Sequence, residues 1–359
     1  MYRSIRLAVL GLLLAASAAA AQDGKLQIHG YLTQAYGKAD TGAYLGVPKD
    51  GTTNYRIAAL QFRYAMTGND EFVIQLSHRR LGTSPMTVGE PDVAMDWVYY
   101  NRRFGDFSAR IGRVPIPAGI YNEIRDVGVL LPFYRAPYDF YFEGAFTSET
   151  VDGAVLRYDI APASAWNAEV SAYGGTWKMT QRVDEADGYA PLDIRVKNAV
   201  GGEVWINTPF QEVRVGGGGS RFDAGDAYIG GIWKEWHASV DGTTQWATLR
   251  GEYRRIITDD INWAGYYAYL GVHAYKGLTI SGQMDFGNLD VKSAGVPFNF
   301  DWDRTKTIGL SYAFRPDVVA KGEYHFTKGY WADEPFLNWQ AGDGAAKVNY
   351  FLISLSTAF

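Results

Sequence analysis

The sequence predicts an all-β fold, a transmembrane antiparallel up-and-down β-barrel of about sixteen strands, and three observations carry that prediction. Apolar and polar residues alternate with period two along nearly the whole chain, and helical spacing is hard to find. The connections between these runs alternate between short and long. The composition combines 11 Trp, 25 Tyr, 18 Phe and 41 Gly with no Cys, yet mean hydropathy is only -0.18, so apolar residues must be interleaved with polar ones.

Composition also excludes several classes. Without cysteine there is no disulfide framework, thiolate zinc site or thiol nucleophile. Aromatics at 15% of the chain, with 47% hydrophobic residues, are too abundant for a disordered protein. Beyond the first twenty-odd residues no apolar stretch approaches the ~18 to 20 residues that a membrane helix needs.

The chain opens with Arg3 and Arg6, continues through an apolar run at 7–14, and reaches small residues ending in Ala19, Ala20 and Ala21. A basic head, a short apolar core and an A-x-A end predict a secretory signal peptide over 1–21, with cleavage before Gln22 and a single barrel domain over 22–359. Removing Arg3 and Arg6 leaves 32 basic residues against 39 acidic ones, a formal charge of −7 that argues against a nucleic-acid partner. An exported chain without cysteine does not depend on oxidative folding.

The strands follow in order. Ala58, Leu60, Phe62, Tyr64 and Met66 alternate with polar residues, as do Phe72, Ile74 and Leu76, and Gly68, Asn69 and Asp70 join the two runs as a hairpin turn. Met95, Trp97 and Tyr99 share a face, and Phe107, Ala109 and Ile111 follow beyond Gly105 and Asp106. Trp166 to Ala172, Leu278 to Phe286, Ile308 to Phe314 and Val318 to Phe326 repeat the alternation.

Short turns fall at 68–70, 105–106, 159–164, 207–210, 276–277 and 315–316, and long polar or glycine-rich segments at 39–53, 81–92, 114–150, 176–194, 221–235, 287–304 and 329–346. This describes a sheet with two unlike ends, which in a transmembrane barrel are periplasmic turns and external loops. Trp97, Tyr99, Tyr266, Tyr312, Tyr324 and Phe326 stand near strand ends on the apolar face, where such a barrel carries its aromatic girdles. In hydrocarbon the sheet must close on itself. The ambiguous stretch 233–257 leaves the count at sixteen or fourteen, and a barrel of that size holds water rather than side chains alone.

The chain ends on an alternating run in which Phe351, Ile353, Leu355, Thr357 and Phe359 share one face. Here the sequence resembles the Gram-negative outer-membrane porins over essentially all of 22–359. The resemblance implies a bacterial outer-membrane location in contact with lipid, a homotrimer, and a water-filled channel for small hydrophilic solutes and ions. It gives the terminal Phe359 the role of a signal for the barrel-assembly machinery, and it implies that the third long loop, 114–150, folds into the lumen and narrows it. Pro115, Pro117, Pro132 and Pro137 stiffen that segment, and Ile120, Val127, Leu130, Leu131 and Phe133 give it apolar area to pack on a wall. The Pro-Glu-Phe-Gly-Gly-Asp type motif of the best-known general porins is absent; Gly112, Arg113, Pro117, Gly119 and the Arg125-Asp126 pair look more like the branch that includes phosphate-selective porins.

The expected constriction sets Arg63, Arg79, Arg110 and Arg113 on the wall against Glu123 and Asp126 of the loop, with Arg125, Arg135, Asp139 and Glu143 supplying further charge. Opposed basic and acidic walls create a transverse field that favours hydrated or dipolar solutes. Other inward positions are of mixed sign, Arg214, Arg250, Arg254 and Lys321 against Asp96, Glu203, Glu252, Asp285 and Glu323, which predicts weak selectivity.

Two other function classes remain as alternatives for such a chain, a phospholipase-like barrel enzyme and a secreted all-β binding protein. His237, Ser239 and Asp241 lie at i, i+2 and i+4 and share a strand face, as in the His-x-Ser arrangement of outer-membrane phospholipases. Their neighbours Trp236, Ala238 and Val240 send the triplet toward the lumen, away from lipid. The five histidines are scattered without ligand spacing, and the glycines at 216–219 lack the Lys and Ser/Thr of a phosphate loop. The expectation is a non-enzymatic pore without metal or cofactor.

Overall fold

Sixteen strands close into one barrel in the computed structural model, which describes residues 24–84, 92–143, 148–185, 188–210, 212–225, 227, 229–292, 298–330, 333 and 345–359. The predicted signal peptide 1–21 and the cleavage position before Gln22 lie outside these residues. The strands are β1 Leu26–Ala39, β2 Thr52–Ala65, β3 Asp70–Leu81, β4 Ala94–Phe104, β5 Phe107–Pro115, β6 Thr150–Ile160, β7 Asn167–Glu185 and β8 Gly188–Asn207. They continue as β9 Val213–Asp223, β10 Ile232–Thr243, β11 Ala247–Ile257, β12 Ile261–Tyr275, β13 Leu278–Val291, β14 Phe298–Arg315, β15 Val318–Gly329 and β16 Ala346–Ala358. Every strand pairs antiparallel with its sequence neighbours, and β1 pairs with β16 from Tyr31 opposite Ala358 to Ala39 opposite Tyr350.

The ambiguous stretch resolves into two strands, β10 and β11, so the count is sixteen rather than fourteen. Two segments expected to be long loops are largely strand instead. The β7–β8 ladder continues to Glu185 opposite Gly188, because Trp177 and Met179 keep the period and are buried beside Val196 and Phe222. Likewise β13 runs to Val291 and β14 begins at Phe298.

The period-two pattern becomes two surfaces. Leu310, Tyr312, Phe314, Tyr324, Phe326, Ile353 and Leu355 are exposed on the outer face, whereas Thr307, Lys321, Glu323, His325, Ser354 and Ser356 between them are buried on the inner face. Apolar residues left outward over the whole wall suit a hydrocarbon surrounding rather than water. One facing prediction is corrected. Gln75 pairs with Trp97 but Leu76 pairs with Met95, so Asp96 is an extra residue, a β-bulge that reverses the alternation. Met95 is therefore exposed outside, while Trp97 and Tyr99 sit on the inner side, Tyr99 beneath the Arg110 guanidinium.

Closure at the seam depends on one small residue. Gly30 and Phe359 exchange backbone hydrogen bonds at 3.0 and 2.9 Å, and a Cβ at Gly30 would lie 2.5 Å from Cζ of the Phe359 ring. The terminal aromatic thus lies against β1 at Gly30, on the outer face.

Candidate functional site

Segment 116–149, between β5 and β6, is the longest connection between strands that the structure describes up to Glu143 and again from Ser148. Its neck is closed by Ile116 N donating to Glu149 O at 2.9 Å and by Asn122 Nδ2, which donates to Ile116 O at 2.8 Å. Helical turns at Asn122–Ile124, Gly128–Leu130 and Tyr138–Tyr141 shape the rest, and the carbonyl of Pro137 accepts from Tyr141 N at 3.1 Å. Proline suits that position because a helix start needs no N–H there. The apolar side chains Ile120, Leu131, Phe133 and Phe140 pack in one cluster with Trp205, Tyr267 and Tyr269 of the barrel.

The backbone of this segment is held by inward side chains of strands far apart around the wall. Gly119 N donates to Glu203 Oε1 at 2.6 Å on β8, and Ile120 N to Glu252 Oε1 at 2.9 Å on β11. Arg254 Nη1 of β11 donates to Phe140 O at 2.6 Å, and Trp263 Nε1 of β12 to Asp139 O at 3.2 Å. On β15, Lys321 Nζ donates to Gly128 O at 2.5 Å and Phe133 O at 2.9 Å, and Glu323 Oε2 accepts from Tyr134 N at 2.9 Å. Several of the inward charges that read as a mixed lining thus satisfy main-chain groups that would otherwise be buried without partners. Glu252 also accepts from Ser239 Oγ at 2.6 Å, Tyr267 OH at 2.8 Å and Tyr141 OH.

The expected constriction residues fall into four groups. Arg79 meets Asp126 at 2.8 Å and Glu149 at 3.3 Å, and Arg110 meets Glu123 at 3.4 Å, so wall arginines and segment carboxylates are in contact. Arg157 of β6, which sequence reasoning missed, reaches the same Glu123 at 3.1 Å and Glu169 at 3.2 Å. Arg125 and Arg135 find their ion-pair partners within the segment, Arg125 at 3.5 Å from Glu149 and Arg135 at 3.5 Å from Glu143, and Arg135 also lies over the Tyr55 ring of β2. Arg63 is inward but pairs with its strand neighbour Glu71 at 3.0 Å.

Arg113 is a correction. Arg110, Gly112 and Val114 share the inner parity of β5, and Val114 is fully buried opposite Val151, so Arg113 faces outward, where it pairs with Asp152 at 2.7 Å. Arg110 and Arg113 are three residues apart on one strand and so point to opposite faces.

Burial pushes the Asp126 carboxyl up from the ordinary carboxylate range; Arg79 opposes this and Glu149 adds to it. Burial likewise raises the phenols of Tyr134 and Tyr141, with Glu143 and Glu252 respectively adding to it.

The His-Ser-Asp triplet has other partners. Ser239 Oγ donates a hydrogen bond to Glu252, His237 Nε2 lies 3.0 Å from Glu203, and Asp241 binds Arg214 and Arg250 at 3.0 and 2.9 Å. A serine nucleophile needs its hydroxyl on the imidazole, which is not the bond made here. The neighbouring glycines are explained by approach: a Cβ at Gly216 would lie 2.6 Å from the Trp205 ring, and one at Gly218 would lie 2.4 Å from Gly202 O. Among the described residues no group of three or more His, Asp or Glu is arranged to hold a metal ion.

Solved structures share the barrel fold over almost their whole length. Salmonella typhi OmpF in complex with daunomycin superposes with a TM-score of 0.64 at 11% identity, covering 94% of this chain and 98% of that one. An anion-selective porin from Comamonas acidovorans gives 0.58 at 12% identity, covering 93% and 99%. The fold is that of the outer-membrane porins. A trimer form of OmpT, an outer membrane protein of Vibrio cholerae, shares the porin fold at a TM-score of 0.53 and 13% identity, covering 93% and 99%. No protein-family model and no curated protein matches the chain. At such identities the porin likeness concerns the path of the backbone, and the contacts of 116–149 described above belong to this chain.

Proposed function

We propose that this protein is a porin of the bacterial outer membrane, a passive and non-enzymatic channel for small hydrophilic solutes and ions. One observation carries the reading: segment 116–149 bonds to inward side chains on β3, β5, β8, β11, β12 and β15 at once. A segment that reaches strands so far apart around a closed barrel is best placed across the lumen, where it narrows the water path. Around Arg110 the wall is basic and Glu123 faces it, with Arg157 and Glu169 beside them, all partly exposed. Fixed charges of both signs at a narrow point set a transverse field, which passes ions and dipolar solutes and disfavours apolar ones.

The outward apolar band is the lipid contact, and Phe359 at the seam is the element read by the barrel-assembly machinery. Export begins with the signal peptide 1–21, and the barrels associate as a homotrimer, as the trimer form of the Vibrio cholerae relative in fold suggests. Channel formation needs no cofactor and no metal.

Planar-bilayer recordings of the purified, refolded chain test the proposal. Stepwise current increments in salt solution are expected; a barrel that shifts mobility on heating yet gives no open-channel current would overturn it.

A further inference from the structure

A second site of charge lies apart from the Arg79–Asp126 contact, where the segment around Phe133 to Asp139 faces β13, β14 and β16. It encloses a cavity of about 30 Å³ lined by Asp139, Arg135, Gln283, Asp285, Asp303 and Tyr350, among others. Asp285 and Gln283 are 4% and 7% exposed. Gln283 Nε2 donates to Asp285 Oδ2 at 2.9 Å, which orients both side chains and leaves Gln283 Oε1 and Asp285 Oδ1 without a hydrogen-bond partner among the described residues. Two orphan acceptors at one cavity are costly unless a donor arrives.

The charges point the same way. Asp303 takes neutral donors, the hydroxyls of Tyr44 and Thr305. Arg135 is the cation on the cavity wall, but Glu143 lies 3.5 Å from its Nε and its Nη2 donates to Leu45 O at 3.1 Å, so its charge is matched elsewhere. The printed partners of Asp285 and Asp303 are thus neutral groups, and buried carboxylates so placed favour a cation supplied from outside.

We propose that this cavity is a subsite for the head of a primary alkylammonium ion. Such a head carries one positive charge and three N–H donors, enough for both orphan oxygens and a third acceptor, and it is small enough for the space. A chelated metal fits less well, since no group of three or more His, Asp or Glu among the described residues is arranged to hold one. The subsite deepens the pore reading, resting on it for access from solvent, and it names small organic amines as solutes that pause in transit.

Calorimetric titration of ethylammonium chloride into the detergent-folded full chain tests this directly. Saturable heat is expected with the unaltered protein and is expected to be lost with tetramethylammonium, which has no N–H. In Asp285→Asn, of equal size, affinity falls about tenfold or more, as befits a charge-assisted hydrogen bond. Gln283→Met, which removes the second orphan acceptor, weakens binding as well and serves if Asp285→Asn does not give a heat-modifiable barrel. No saturable heat with ethylammonium, equal heat with tetramethylammonium, or undiminished affinity in a folded variant would overturn the subsite. Bilayer currents separate the two readings: current without ethylammonium binding sinks the subsite alone, and binding without current sinks the pore alone.

Discussion

Arg79 on β3 and Asp126 in segment 116–149 meet at 2.8 Å with both side chains largely buried, and Glu149 lies 3.3 Å from the same guanidinium. The contact ties the segment to β3, eight strands around the closed barrel from β11 and four from β15, which hold it through Glu252 and Lys321. Removing Arg79 leaves two buried carboxylates facing each other, a change that costs about 3 kcal/mol or more. Arg79→Ala is therefore expected to free this side of the segment and raise single-channel conductance. Conductance equal to that of the unaltered chain would contradict the placement of 116–149 across the lumen.

The same pair predicts a pH dependence. Burial raises Asp126 above the ordinary carboxylate range despite Arg79, so the folded protein holds this proton more tightly than the unfolded chain. Its contribution to stability is then fullest below the ordinary carboxylate pKa and declines as pH rises through the raised value. The temperature of the heat-induced mobility shift should fall with rising pH across mildly acidic conditions. Asp126→Asn, which does not titrate, should flatten that slope; an identical slope would assign the dependence to other groups.

Glu252 gathers Ile120 N, Ser239 Oγ, Tyr267 OH and Tyr141 OH on one carboxylate. Glu252→Ala strands several buried donors at roughly 1–3 kcal/mol each. The segment should loosen on the β11 side and its arginines, Arg125 and Arg135, become open to trypsin while the barrel stays intact. Limited proteolysis followed by mass measurement checks this, and full protection of both bonds in the variant would show that Glu252 is not a principal anchor.

How much of this was legible beforehand follows from where each signal resides. The alternation in β14 to β16 is readable because each residue's solvent, hydrocarbon or water, is set by parity alone, so Tyr324 and Phe326 outward and Lys321 and Glu323 inward follow directly. Parity breaks at the Asp96 bulge, which no residue type announces, so Trp97 and Tyr99 were turned to the wrong side. The β10–β11 turn has no clear sequence signal because residues 244–246 include no Gly or Pro; Thr244 makes it, its Oγ1 accepting from Trp246 N at 3.2 Å and Ala247 N at 3.1 Å. At the candidate site, Glu123 and Asp126 stood out as charges in a long proline-bearing loop. The partners of Glu203, Glu252 and Lys321 are main-chain groups of a segment 84 to 193 residues away, and nothing local encodes such a meeting.

Gly30 makes room for the ring of Phe359 across the seam. Gly30→Val would drive a Cβ into that ring and either displace it or open the last pair of hydrogen bonds. The heat-modification temperature should fall, by an amount matching the 1–3 kcal/mol or so that overpacking costs, and Phe359→Ala in the same background should recover part of it. A Gly30→Val barrel as stable as the original would remove the seam contact from the account.

The two faces of β5 give a contrast in selectivity. Arg110 is inward against Glu123, whereas Arg113 is outward against Asp152, three residues along the same strand. Arg110→Glu, alone or with Arg63→Glu, replaces a lumenal cation by an anion beside Glu123 and Glu71 and should shift the zero-current potential in a salt gradient toward cation preference. Arg113→Glu changes the charge of the protein by the same amount but sets it against Asp152 on the outside of the wall, so it should leave that potential where it was. The shift should shrink as ionic strength rises, since a fixed charge in a water-filled lumen is screened over about 10 Å at 0.1 M. Equal shifts in the two variants would mean that net charge rather than position governs the current, and the constriction around Arg110 would have to be abandoned.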